Sequence, residues 1–143
     1  MERWLSGSNE RRNGVARIQK EAEKTAEKFR KEMKTEEAYR IKSMADQIAE
    51  ETMEYGITAG LDAYLSYFCE ERVSLLDYLK KEDSIVFLDE TVRTIELGQS
   101  TETEFSESMK QRLEKGYILS GQMRELFSYK EILAISCHDL SRT

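Results

Sequence analysis

The sequence predicts a helix-rich α/β protein, and three observations carry that expectation. Apolar residues recur every three or four positions over most of the chain, which is the period of an amphipathic helix. Three signatures of Ser or Thr followed three residues later by Asp or Glu (Ser74/Asp77, Thr101/Glu104 and Ser128/Glu131) mark helix starts. One run of four apolar residues without alternation, Ile85-Val86-Phe87-Leu88, reads as a strand buried on both faces. One or two strands then accompany a long N-terminal helix or helical hairpin. A chain of 143 residues is near the size of one domain.

Residues 1–13 lack periodicity and read as a flexible leader, with Trp4 and Leu5 docking locally. Residues 14–56 carry two apolar stripes: Val15, Ile18, Ala22, Ala26, Phe29 and Met33, then Ile41, Ala45, Ile48 and Thr52. Thr35 ahead of Glu36 and Glu37 resembles a helix start, and no glycine intervenes between Gly14 and Gly56. One helix of about 60 Å and a hairpin turning near residues 33–36 are both compatible with this pattern. Residues 57–143 read as a compact α/β segment. There Gly60 opens a short helix with Leu61, Tyr64, Leu65 and Phe68 on one face; Ser74 and Asp77 cap a turn carrying Leu75, Leu76, Tyr78 and Leu79; and Lys115-Gly116 ends the helix of Phe105, Met109 and Leu113.

Residues 1–34 hold ten basic against six acidic side chains, whereas the remainder is strongly acidic and brings the chain to −6. Because lysines alternate with glutamates in the first segment, with Glu27/Lys31 and Lys28/Glu32 as expected i,i+4 pairs, it reads as solvated helix surface, and direct nucleic-acid binding by the chain is not expected. No apolar run approaches the roughly 20 residues of a membrane span. Cys69 and Cys137 without a signal peptide suit a reducing cytoplasm, and His138 has no cysteine at zinc-site spacing, so no metal is expected. No phosphate-loop motif is present, and no catalytic residue is assigned. The one chemical constellation is Asp89-Glu90 at the end of the apolar run, where a buried strand would deliver two carboxylates, as in the Mg²⁺-binding element of nucleotide hydrolases.

The ordered series Gly60-Leu61, Tyr64-Leu65, Phe68, then Ser74-Leu75-Leu76-Asp77-Tyr78-Leu79, then Val86-Phe87-Leu88-Asp89-Glu90 resembles the bacterial transcription-repair coupling factors. The likeness falls in their N-terminal region that is similar to the damage-verification protein UvrB, and it extends over roughly residues 14–134. The resemblance implies a helicase-like α/β layout in which Asp89 and Glu90 occupy a degenerate Walker B position; Thr91 follows where UvrB-like proteins carry Ser-His. It implies a non-catalytic cytoplasmic module of an ATP-dependent DNA translocase that displaces stalled RNA polymerase and recruits UvrA in transcription-coupled nucleotide excision repair. ATP and Mg²⁺, like UvrA and RNA polymerase, would be handled by parts of such a protein absent here, so no cofactor is expected for this chain and its direct partners would be neighbouring domains. Prolines usual in the family are missing; Ser66, Arg72 or Val73, Lys80 and Thr91 stand in their neighbourhoods. A free-standing helical adaptor for protein–protein interaction, self-associating through the Val15–Met33 stripe, is the alternative.

Overall fold

Small side chains on one face let two helices approach closely, and that rule organises the larger part of this chain. The computed structural model describes residues 8–56, 60–69, 71, 73–79 and 86–137. Its elements are α1 (Ser8–Lys31), α2 (Thr35–Tyr55), α3 (Leu65–Phe68), α4 (Thr91–Glu114) and α5 (Tyr129–Cys137), with 3₁₀ turns at Leu61–Tyr64, Leu75–Tyr78 and Ser120–Arg124. The chain divides into two compact units, Met1–Glu71 with Met109–Glu125, and Arg72–Ser108 with Leu126–Thr143.

The first unit is built on a helical hairpin. Ile18, Ala22, Ala26 and Phe29 of α1 and Ala38, Ile41 and Ala45 of α2 are all buried in one cluster, which Tyr67 of α3 and Leu119 complete. Four alanines in the seam bring the backbones together, and the two isoleucines and Phe29 fill the remaining space; each fully buried isoleucine contributes roughly 2 kcal/mol. The chain reverses at Met33, which adopts a left-handed φ of 62°. Met33 N–H donates to Arg30 O at 3.1 Å and Lys34 N–H to Phe29 O at 2.9 Å, the paired bonds of a Schellman ending without its usual glycine. Residues 8–13, assigned by pattern to the leader, already belong to α1. Trp4 and Leu5 lie outside the described residues.

Two further glycines decide packing here. A Cβ on Gly14 would come within 2.1 Å of the Phe68 ring, so the glycine lets α3 rest against α1 there. Gly116 ends α4 with φ +67° and bonds from Gly116 N–H to Leu113 O and Tyr117 N–H to Arg112 O, as the Lys115-Gly116 stop anticipates. Its missing side chain also leaves room for the Glu37 backbone. Arg40 then locks this loop to α2 by donating to Lys115 O and stacking 4.3 Å above the Tyr117 ring.

In the second unit the α/β expectation fails: every regular element among the described residues is helical. Ile85 lies outside the described residues, while Val86, Phe87 and Leu88 are irregular and exposed rather than a doubly buried strand. A short apolar run does not by itself distinguish strand from other structure, and a strand without a partner leaves its backbone hydrogen bonds unmade. The Thr101/Glu104 signature lies inside α4 instead of starting a helix, because no proline interrupts residues 91–100 and the single Gly98 is tolerated within the helix. The other two signatures are real caps. Ser74 N–H and Oγ both donate to Asp77 Oδ2, and Ser128 N–H donates to Glu131 Oε2 at 2.7 Å while Glu131 N–H donates to Ser128 Oγ at 3.1 Å. Gly98 of α4 accommodates Tyr129 at the start of α5, whose Cβ would be 2.7 Å from an added methyl.

Two substitutions test this packing. Replacing Met33 by β-branched valine should cost about 1 kcal/mol in chemical denaturation, because the left-handed turn penalises a branched Cβ, while Met33→Gly should not destabilise. The Thr52 hydroxyl is fully buried in α2 and has no hydrogen-bond partner among the described residues. Thr52→Val should therefore raise stability by about 1 kcal/mol, measured by the same denaturation, since it removes an unpaired polar atom at constant shape.

Candidate interaction surfaces

Glu21, in the middle of α1, joins three elements distant in sequence. Its Oε1 accepts from Ser120 N–H at 2.9 Å, from Ser120 Oγ and from Gly121 N–H at 3.3 Å, and its Oε2 accepts from the Tyr67 hydroxyl at 2.8 Å. Tyr67 in turn accepts from Gly121 N–H at 3.0 Å. A carboxylate thus caps the 3₁₀ turn at Ser120–Arg124 and holds α3 against α1. Ser66 adds a bond from Oγ to Gly121 O at 3.0 Å and one from its N–H to Glu125 Oε1 at 3.0 Å. Gly121 is needed because a Cβ there would lie 2.4 Å from the Tyr67 ring. Burial, and then the hydrogen bond and negative charge of Glu21, push the Tyr67 phenol far above its ordinary value, so it stays a neutral donor.

Beside this network runs an open groove of about 900 Å³, lined by α1 residues Arg17, Lys20, Lys24, Lys28 and Lys31, by Tyr67 of α3, and by Gly121 and Arg124. The expected pairs Glu27/Lys31 and Lys28/Glu32 are not formed. Glu23 instead reaches Arg30 at 3.8 Å and Lys42 of α2 at 3.2 Å, and Glu32 reaches Lys34 at 3.1 Å.

The residues singled out by sequence are divided between the two units. Gly60, with φ +87°, opens the 3₁₀ turn; Leu61 is buried; and Tyr64, Leu65 and Phe68 are half-buried, with the Tyr64 hydroxyl donating to Met44 Sδ at 3.3 Å. These belong to the packing of the first unit. In the second, Leu76 is half-buried and Asp77 serves as a cap, but Leu75, Tyr78 and Leu79 face solvent. Asp89 and Glu90 do not stand at a strand end. They lie immediately ahead of α4: Asp89 Oδ1 accepts from Glu90 N–H at 2.9 Å, Glu90 takes φ 47°, and its carboxylate pairs with Arg93 at 3.1 Å. Carboxylates at a helix start are stabilised by the helix dipole, which is a sufficient reason for both.

Among the described residues no three His, Cys, Asp or Glu side chains are grouped so as to hold a metal ion. Burial and the nearby Glu10 and Glu125 raise the Cys69 thiol, the opposite of what an activated nucleophile requires. Cys137 ends α5, and His138 lies outside the described residues. No helix of the described residues is long and apolar enough to cross a membrane. The stripe expected to mediate self-association is consumed within the chain, since Val15 through Phe29 are buried and only Met33 is free. Sequence reasoning missed Glu21 and Tyr67 because their partners lie 46 to 100 residues away and Glu21 looks like any other acid in a Lys/Glu helix.

Removing Glu21 with Glu21→Ala should cost about 2 kcal/mol in thermal or chemical unfolding, since four donors lose a charged acceptor, and Tyr67→Phe should cost less. Folded Tyr67 keeps its proton while the unfolded residue ionises near pH 10, so its contribution is complete below about pH 10 and is lost as pH rises further; Tyr67→Phe should flatten that alkaline slope.

Comparison with known proteins gives a partial likeness. Over 71 residues, 50% of this chain, the sequence is 39% identical to the transcription-repair-coupling factor of Bacillus subtilis (strain 168). The matched stretch spans 6% of that relative's length. No protein-family model matches the chain, and no solved structure matches it. What the comparison establishes is local similarity to a part of a transcription-repair coupling factor.

Proposed function

We propose that this chain is a non-catalytic docking module of transcription-coupled DNA repair, whose direct partners are other domains of a transcription-repair coupling factor. One observation carries the reading. Large apolar residues of the family-like series in the second unit are turned outward, Leu75 being 82% exposed, Tyr78 75% and Phe87 86%, and Val92, beyond the series, is 72% exposed. In an ordinary monomer such side chains are scattered, whereas here they crowd into a short span of sequence that leaves α4 without a buried residue among those described. Apolar surface of this kind is stabilised by a protein partner, and the likeness to part of a much longer repair factor supports neighbouring domains of such a factor as that partner. The finer placement in the UvrB-like region rests on the residue series alone. ATP, Mg²⁺, RNA polymerase and UvrA would be engaged by other parts of such a factor, in the cytoplasm.

A free-standing helical adaptor is the second reading, favoured by the first unit's own buried core. In cells of origin, substituting Leu75→Lys and Phe87→Lys should abolish the preferential repair of transcribed strands after ultraviolet damage. Unchanged strand preference would overturn the repair reading and leave the adaptor. On the purified chain, light scattering at about 10–100 μM should show association that the same double substitution removes, with helix content retained by circular dichroism. A monodisperse monomer that binds no apolar dye counts against a docking surface of either kind.

A further inference from the structure

We infer that the lysine groove of the first unit binds an acidic helical segment of a partner protein, through residues other than the apolar ones of the second unit. Folding segregates charges that the sequence interleaves. Glu21 is turned inward to Ser120, Gly121 and Tyr67, Glu23 is drawn to Arg30 and Lys42, and Glu32 to Lys34. Lys20, Lys24, Lys28 and Lys31 are left along the groove without an ion pair among the described residues. Glu27 is the one groove-lining acid besides the inward-turned Glu21. A concentrated positive groove on a chain of net charge −6 is a local feature, and it selects an anionic occupant.

Three features choose an acidic polypeptide over nucleic acid. Lys20, Lys24 and Lys28 recur at one helical turn, about 6 Å per step along the axis, which matches carboxylates at i and i+4 on a facing helix. The aromatic ring at the groove, Tyr67, is only 5% exposed and its hydroxyl is held by Glu21, so no platform exists for stacking a base. The overall negative charge opposes a long polyphosphate, whose binding depends on a broadly basic face, but tolerates a short acidic helix seated in one groove. Glu21 also builds the groove's second wall by anchoring Ser120 and Gly121, so the receptor is preorganised before any partner arrives.

The test uses fluorescence anisotropy with a labelled alanine-based helical peptide carrying Glu at every fourth position, its Gln counterpart, and a single-stranded oligothymidylate of equal formal charge. The Glu peptide should bind the full chain at about 0.05 M salt and weaken at least about tenfold by 0.5 M. The double substitution Lys24→Glu and Lys28→Glu, at exposed positions that leave the core untouched, should weaken it by about tenfold or more, while Lys110→Glu, outside the groove, leaves it within about twofold. Equal binding of the Glu and Gln peptides overturns the proposal, as does tighter binding of the oligonucleotide. So does full peptide affinity in the double variant, or self-association of the wild type through the groove that the double variant abolishes. Because these variants lie in the first unit, their failure leaves the reading of the apolar surface standing, and failure of that reading leaves this one testable.

Discussion

The close contact between α1 and α2 is the constraint on which the first unit depends. Ala22, Ala26, Ala38 and Ala45 present almost no side chain, so the two backbones approach until Ile18 and Ile41 interlock and Phe29 fills the end of the seam. That approach requires the reversal at Met33, strained though its left-handed φ of 62° is, since the observed turn lays the two stripes against each other. It also sets the floor on which Tyr67 and Leu119 rest. Everything later in the chain that belongs to this unit is fitted to that floor, with glycine at each point where a backbone or ring comes too near for a Cβ, as Gly14, Gly116 and Gly121 show.

The second layer of order is polar and equally specific. One carboxylate, Glu21, satisfies the backbone of a turn about 100 residues away and the hydroxyl of Tyr67. Capping of this kind usually comes from a residue adjacent to the turn; here it comes from another helix, which ties the order of residues 120–124 to the presence of α1. The same act removes an acid from the outer face and leaves the lysines beside it in excess. Structural cap and surface charge are therefore two consequences of one side-chain orientation.

The second unit follows a different logic. Its caps at Ser74 and Ser128 form as local sequence dictates, and Asp89 and Glu90 stand just ahead of α4, where the helix dipole favours acids. Yet among the described residues none of its large apolar side chains is fully buried as the hairpin's are. Local order without burial is what a partner-dependent surface looks like, and it explains why Val86, Phe87 and Leu88, which read as a buried strand, are found in solvent. The likeness to part of a much longer repair factor accords with that state.

The sequence by itself determined the features that depend on near neighbours. Helical periodicity in α1 and α2, the start of α2 at Thr35, the two working capping boxes and the Gly116 stop were legible because each rests on residues within four or five positions of one another. The tertiary structure decided what distant residues do to each other. It resolved one long helix against a hairpin, since the turn residue Met33 carries no signal and only the burial of two alanine stripes selects the reversal. It removed the strand, because a strand exists only with a partner to receive its hydrogen bonds. And it sorted an alternating run of lysine and glutamate into a capped interior acid and a basic groove, a separation of charge that periodicity cannot show because it depends on where the other helices stand.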